Sequence, residues 1–118
     1  MRPDGIHHVA LRVADVGRAA AFYSGVLGFQ QTRRKDEDGA PVAVWLDAGG
    51  AILMLERRLA GAGEAAGSGH LLAFRVEDLP SWEAHLDRSG VPIVDRTPFT
   101  LYLQDPDGHR VGLSTYKP

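Results

Sequence analysis

The sequence predicts an α+β fold built from two βαβββ modules. Three observations lead there. One stretch of sequence recurs, apolar spacing switches between strand and helix periods in the same order in each half, and turn residues separate the runs. His7-His8-Val9-Ala10-Leu11-Arg12-Val13-Ala14-Asp15-Val16 lies on His70-Leu71-Leu72-Ala73-Phe74-Arg75-Val76-Glu77-Asp78-Leu79. Asp47-Ala48-Gly49-Gly50-Ala51-Ile52-Leu53 lies on Asp105-Pro106-Asp107-Gly108-His109-Arg110-Val111. The spacing of the second match is five residues shorter than that of the first, 58 against 63. The second copy is therefore the tighter one between its helix and its last hairpin. The modules span about 5–58 and about 70–116, and the Gly- and Ala-rich run of about 59–69 reads as a flexible linker.

Each copy opens with a weakly alternating strand, His8–Val13 or Leu71–Val76, rich in strand formers. Asp15 then stands where its carboxylate can accept the free amide hydrogens of a first helical turn. Val16, Ala19, Ala20, Tyr23, Val26 and Leu27 follow at helical spacing, and Gly28 supplies the stop. In the second copy Asp78 is the cap and Pro80 sits in the first turn. Leu79, Trp82 and Leu86 form the apolar stripe, and Gly90 ends the helix. Three strands follow each helix. They are expected at Phe29–Arg34, Val42–Asp47 and Ala51–Arg57, and at Ile93–Thr97, Phe99–Gln104 and Arg110–Thr115. Asp36–Gly39, Ala48-Gly49-Gly50 and Asp105-Pro106-Asp107-Gly108 provide the turns. A four-stranded sheet with one helix leaves its other face bare. Two such sheets are expected to curl around a shared cleft as a half-barrel, with the helices outside.

Composition removes several functions. There is no Cys, so disulfides, a thiolate nucleophile and thiolate zinc sites are out. A net charge of −2 and a pI near 6.2 give no electrostatic reason to expect nucleic acid or an anionic membrane as partner. No apolar run reaches membrane-spanning length, and the N-terminus lacks the apolar stretch of a secretion signal, so a cytoplasmic protein is expected. High Ala, Gly and Arg usage suggests a GC-rich bacterial genome. The serines lack a nucleophile-elbow context, and the glycines do not form a phosphate-binding loop. Arg33-Arg34-Lys35 is offset by Asp36-Glu37-Asp38 and reads as a solvated hairpin.

The paired unit is similar to the vicinal oxygen chelate superfamily, which includes glyoxalases, bleomycin resistance proteins and extradiol dioxygenases. The residues that carry the resemblance are Ile6–Val16, Ala21-Phe22-Tyr23, Val26-Leu27-Gly28-Phe29 and Leu103–Arg110. It covers essentially the whole chain, and the motifs are specific to the fold rather than to one activity. Metal-dependent members hold a divalent cation with ligands from the first and last strand of each module. The resemblance places those positions at His8, Leu71, Met54 and Gly112. Of these only His8 suits a hard divalent ion. A displaced set of His8, Glu56 and His70 is the alternative. It requires a β-bulge after Gly67-Ser68-Gly69 to turn His70 inward, whereas its repeat mate His7 points to an outer-face role. His85 and His109 read as surface residues.

The expected ligand-binding residues are His8, Met54, Thr100, Tyr102, Gly112 and Ser114, with Ala10, Val44 and Ile52 completing a mainly apolar lining. Val44 is the repeat mate of Tyr102 on this alignment, and Trp45 and Leu103 are expected to pack beneath the helices. Trp82 reads as helix-to-sheet core. Arg12 and Arg75 share the His8 face and read as rim ion pairs or as holders of an anionic ligand. The leading expectation is a small-molecule-binding protein resembling bleomycin-type resistance proteins. It would need no cofactor and would sequester a hydrophobic or aromatic ligand. Tyr102 would stack on the ligand, His8 and Ser114 would hydrogen-bond it, and Met54 would adapt to its outline. Two enzyme readings stand beside it. One is a divalent-metal-dependent lyase, isomerase or dioxygenase using the displaced site. The other is a metal-free enzyme with His8 as general base. An interaction module without a small ligand is the last alternative. A homodimer is expected from the resemblance and from the open sheet edges.

Overall fold

A computed structural model describes residues 1–59 and 70–117. Most of the predicted linker, residues 60–69, lies outside the described residues. The chain divides into two compact units, 1–62 and 63–118.

In the first unit, strand β1 (His8–Arg12) leads into helix α1 (Val16–Ala20). Asp15 caps α1 as expected, its carboxylate accepting from the Arg18 N–H at 3.0 Å. The predicted continuous α-helix is corrected here. From Ala21 to Val26 the chain is π-helical, and the Leu27 N–H donates to the Phe22 carbonyl at 3.0 Å. This wider turn buries Phe22 and Tyr23 as neighbours, their rings edge-to-face at 5.0 Å. Gly28, at φ +86°, turns the chain out of the helix. Strands β2 (Gln30–Glu37), β3 (Ala40–Asp47) and β4 (Ile52–Glu56) follow. The sheet order is β1-β4-β3-β2, with β1 parallel to β4 and the other pairs antiparallel. Helix α1 covers one face, where Leu11, Val13, Val44, Leu46, Leu53 and Leu55 are buried with Val16 and Ala19.

The second unit repeats the plan. Strand β5 (Leu72–Arg75) precedes helix α2 (Leu79–Arg88), capped by Asp78 through the Ser81 N–H at 3.3 Å. Strands β6 (Asp95–Arg96), β7 (Thr100–Gln104) and β8 (Arg110–Ser114) complete a sheet in the order β5-β8-β7-β6. Strand β6 is shorter than predicted. Beyond its ends the Val94 N–H donates to the Tyr102 carbonyl at 2.8 Å and the Thr97 N–H to the Thr100 carbonyl at 2.9 Å. Leu86, Leu101, Leu103, Val111 and Leu113 are buried. Helix α2 lies on the Leu101 side, where Glu83 pairs with Arg96 at 2.6 Å.

The expectation for β3 was inverted. Trp45 pairs with Met54 and Val44 with Leu55. Val44 therefore lies beneath α1, 1% exposed, and Trp45 lies on the opposite face. The cause is turn length. Asp47 pairs with Ile52 across four residues, but Gln104 pairs with Arg110 across five. One extra residue in the second turn shifts the match by one, and Tyr102 corresponds to Trp45.

Candidate functional site

Each unit turns one sheet face away from its helix, and the predicted site residues stand on these two far faces. In the first unit, strand alternation and register place His8 beside Ile52 and set Ala10, Met54, Trp45 and Arg33 in one row across all four strands. His8 is exposed at the start of β1, its Nδ1 3.0 Å from the Nδ1 of His7. Met54 is half-buried between Ala10 and Trp45. The Arg33 guanidinium lies 5.0 Å from the centroid of the Trp45 ring. Glu56 shares the face but sits opposite Arg12, at the other end of β1 from His8. Its carboxylate accepts from the Arg58 N–H at 3.3 Å. Beyond His8 a depression of about 650 Å³ is bordered by Asp4, Ile6, His7, Thr32, Asp47 and Ile52.

The second unit carries the matching row of Ala73, Gly112, Tyr102 and Asp95. The next row holds Arg75, Ser114 and Thr100. Thr100 Oγ1 donates to Ser114 Oγ at 2.8 Å, and that same oxygen accepts the Tyr116 N–H at 3.1 Å. The Ser114 proton is left to point elsewhere. Arg110 stands 4.6 Å from the Tyr102 ring centroid and reaches Asp95 at 3.3 Å. A Cβ on Gly112 would meet the Ala73 Cβ at 3.4 Å and Thr100 Cγ2 at 3.5 Å, ordinary van der Waals contact with its neighbours on the same face. Thr100, Tyr102, Gly112 and Ser114 are thus gathered on one face of the second sheet, and His8 and Met54 on one face of the first.

His70 precedes β5, and its Nε2 is 3.1 Å from Nδ1 of His109. Leu71 is 43% exposed. His85 meets the edge of Trp82, ring centroids 5.5 Å apart. Asp105 is a structural residue. It is 5% exposed, and one carboxylate oxygen accepts the backbone N–H groups of Asp107 and His109, each at 2.8 Å. The solvated reading holds for the run: Arg33 and Arg34 are both exposed, Arg34 pairs with Asp36 at 2.7 Å, and Arg33 lies over Trp45. Sequence reasoning missed Trp45, Arg33, Arg110 and Asp95 as far-face residues. The unequal turn lengths before β4 and β8 were the available signal for Trp45.

The family model for the glyoxalase/bleomycin resistance protein/dioxygenase superfamily matches residues 5–113, and the chain belongs to that superfamily. A curated relative, MhqA of Bacillus subtilis (strain 168), whose name proposes a ring-cleaving dioxygenase, is 34% identical over 97% of this chain. The chain spans only 40% of that relative's length. Among solved structures, the antibiotic-binding protein TnmS3 from Streptomyces sp. CB03234 superposes with a TM-score of 0.76 at 22% identity, covering 97% of both chains. Lactoylglutathione lyase from Agrobacterium tumefaciens gives 0.74 at 22% identity, over 97% of this chain and 95% of that one. The fosfomycin resistance protein FosX from Mesorhizobium loti gives 0.76 at 16% identity, over 98% and 94%. These structural likenesses establish the fold.

Many members of the superfamily use a divalent metal, and the residues present do not fit one at the four expected positions. His8 offers an imidazole, Met54 a soft thioether, Leu71 and Gly112 no donor. Among the described residues no three His, Asp or Glu side chains are grouped to hold an ion.

Proposed function

We propose that this member of the glyoxalase/bleomycin resistance/dioxygenase superfamily captures a small hydrophobic or aromatic molecule and holds it without transforming it. The observation that carries this reading is the far face of the second sheet. Where an acidic ligand would be needed for chelation, Gly112 lies against Ala73 and beside Tyr102. That position then carries no charge, and Ala73, Gly112 and Tyr102 offer small apolar contacts beside the Arg110–Asp95 pair. Arg110 covers one side of the Tyr102 ring, and the other side is the stacking surface; the Thr100–Ser114 pair offers a proton donor at its margin. In the first unit His8 supplies a hydrogen-bonding group and Met54 an adaptable apolar one. The antibiotic-binding neighbour TnmS3 supports the same reading. The protein is proposed to act as a cytoplasmic homodimer, association being favoured by the edge strands β1, β2, β5 and β6.

Calorimetry against antibiotics and aromatic metabolites, with protein purified in the absence of chelator, tests it. Saturable binding that survives EDTA and weakens at least tenfold in Tyr102→Ala is expected. Conversion of any bound compound overturns the reading. A second reading rests on the likeness to MhqA. It is a metal-dependent dioxygenase, lyase or isomerase; the set His8, Glu56 and His70 does not serve as its ligands, because His8 and Glu56 stand at opposite ends of β1. Stoichiometric metal in the purified protein, lost in His8→Ala, would put that reading first.

A further inference from the structure

The rows Ala10–Met54–Trp45–Arg33 and Ala73–Gly112–Tyr102–Asp95 correspond position by position. A small residue, the vacated ligand position and an aromatic ring follow one another in each. The fourth position differs in sign, Arg33 in one unit and Asp95 in the other. In the second unit the charges are closed among themselves, because Arg110 lies over Tyr102 and pairs with Asp95. In the first unit Arg33 lies over Trp45, and among the described residues no carboxylate or hydrogen-bond acceptor engages its guanidinium. A guanidinium stacked on a ring keeps its N–H groups at its edge, in the fork that matches an oxyanion. A β-bulge aims it there. The register shifts between Gln31 and Arg33, and Thr32 is the extra residue, its hydroxyl donating to the Trp45 carbonyl at 3.3 Å. Without that residue Arg33 would fall opposite Val44, on the helix side.

We infer that the ligand is an aromatic anion, its carboxylate or similar oxyanion held by Arg33 and its ring system lying along Trp45, Met54 and Ala10. Adjacent strands are roughly 4.8 Å apart, so the row offers an apolar track of two to three strand widths beside one cation. This deepens the capture reading and rests on it, since it assigns the chemical class of what is captured.

The test compares 2-naphthoate with its uncharged isostere 2-naphthamide by calorimetry, on the wild-type chain and on Arg33→Gln and Arg34→Gln. Arg34 faces the other side of the same strand and serves as control. The naphthoate is expected to bind about five- to tenfold more tightly than the amide, as suits one charge-assisted fork near the surface. Arg33→Gln should abolish the preference and Arg34→Gln should leave it intact. Circular dichroism checks that each variant is folded. If both probes bind and the ratio is unchanged by Arg33→Gln, the inference is overturned and the capture reading stands. If neither probe binds, the inference falls. If both are instead transformed, the capture reading falls as well.

Discussion

Replacing Asp105 with Ala is the most discriminating test of how the second sheet is held in register. Asp105 is 5% exposed, and one of its carboxylate oxygens accepts two backbone N–H groups at 2.8 Å. Its own N–H donates to the His109 carbonyl at 2.9 Å, and its carbonyl accepts from Gly108 at 3.0 Å. The side chain therefore organises the whole turn between β7 and β8. Hydrogen bonds to a charged acceptor contribute about 1.5 to 3 kcal/mol each. Asp107 is exposed, so its N–H can turn to water once the carboxylate is gone, whereas His109 is half-buried and recovers less. The net loss is then roughly 2 to 4 kcal/mol, and the melting temperature should fall by on the order of 10 °C. Asp105→Asn keeps a neutral acceptor and should cost about 1 kcal/mol. Urea titration with fluorescence and circular dichroism in parallel reads both. A loss below about 1 kcal/mol in Asp105→Ala would refute the argument that this carboxylate holds the turn.

Val44→Ala should cost about 2 kcal/mol, because it empties a fully buried site under α1. Trp45→Ala, on the far face, should disturb ligand binding more than stability, and equilibrium unfolding of the pair checks the assignment of faces. Asp15→Ala removes the cap of α1 and should cost about 1 kcal/mol by the same measurement. Glu37 and Ala40 pair across Asp38 and Gly39, whose φ angles are +52° and +77°. Gly39→Ala places a Cβ in that left-handed turn and should cost about 1 to 2 kcal/mol in thermal unfolding.

Much of the architecture was legible in the residues. The match of His7–Val16 with His70–Leu79 located both opening strands, and Asp15 and Asp78 marked both helix starts. That Leu71, Met54 and Gly112 offer no donor suited to a hard divalent ion was also visible, since it needs only their identities at the positions the resemblance implies. The helix of the first module was misjudged, because apolar spacing near 3.6 does not separate an α-helix from an α-helix that loosens into a π turn at Ala21. Strand β6 was overextended because Ile93 and Val94 have strand composition, whereas regular pairing is confined to Asp95 and Arg96. Of the site, Thr100, Tyr102, Gly112 and Ser114 fell on one face as expected. Trp45 and Arg33 did not announce themselves.

The order of elements and their caps and turns were determined by the sequence alone, because each depends on local residue chemistry. Which face Trp45 and Arg33 occupy was decided only in the folded sheet. A strand's side chains alternate with a period of two, so one extra residue in the turn at 105–109 or one bulged residue at Thr32 reverses the side on which a residue stands. That parity is set by hydrogen-bond register between neighbouring strands, and it is what brings the Arg33 guanidinium onto an indole ring.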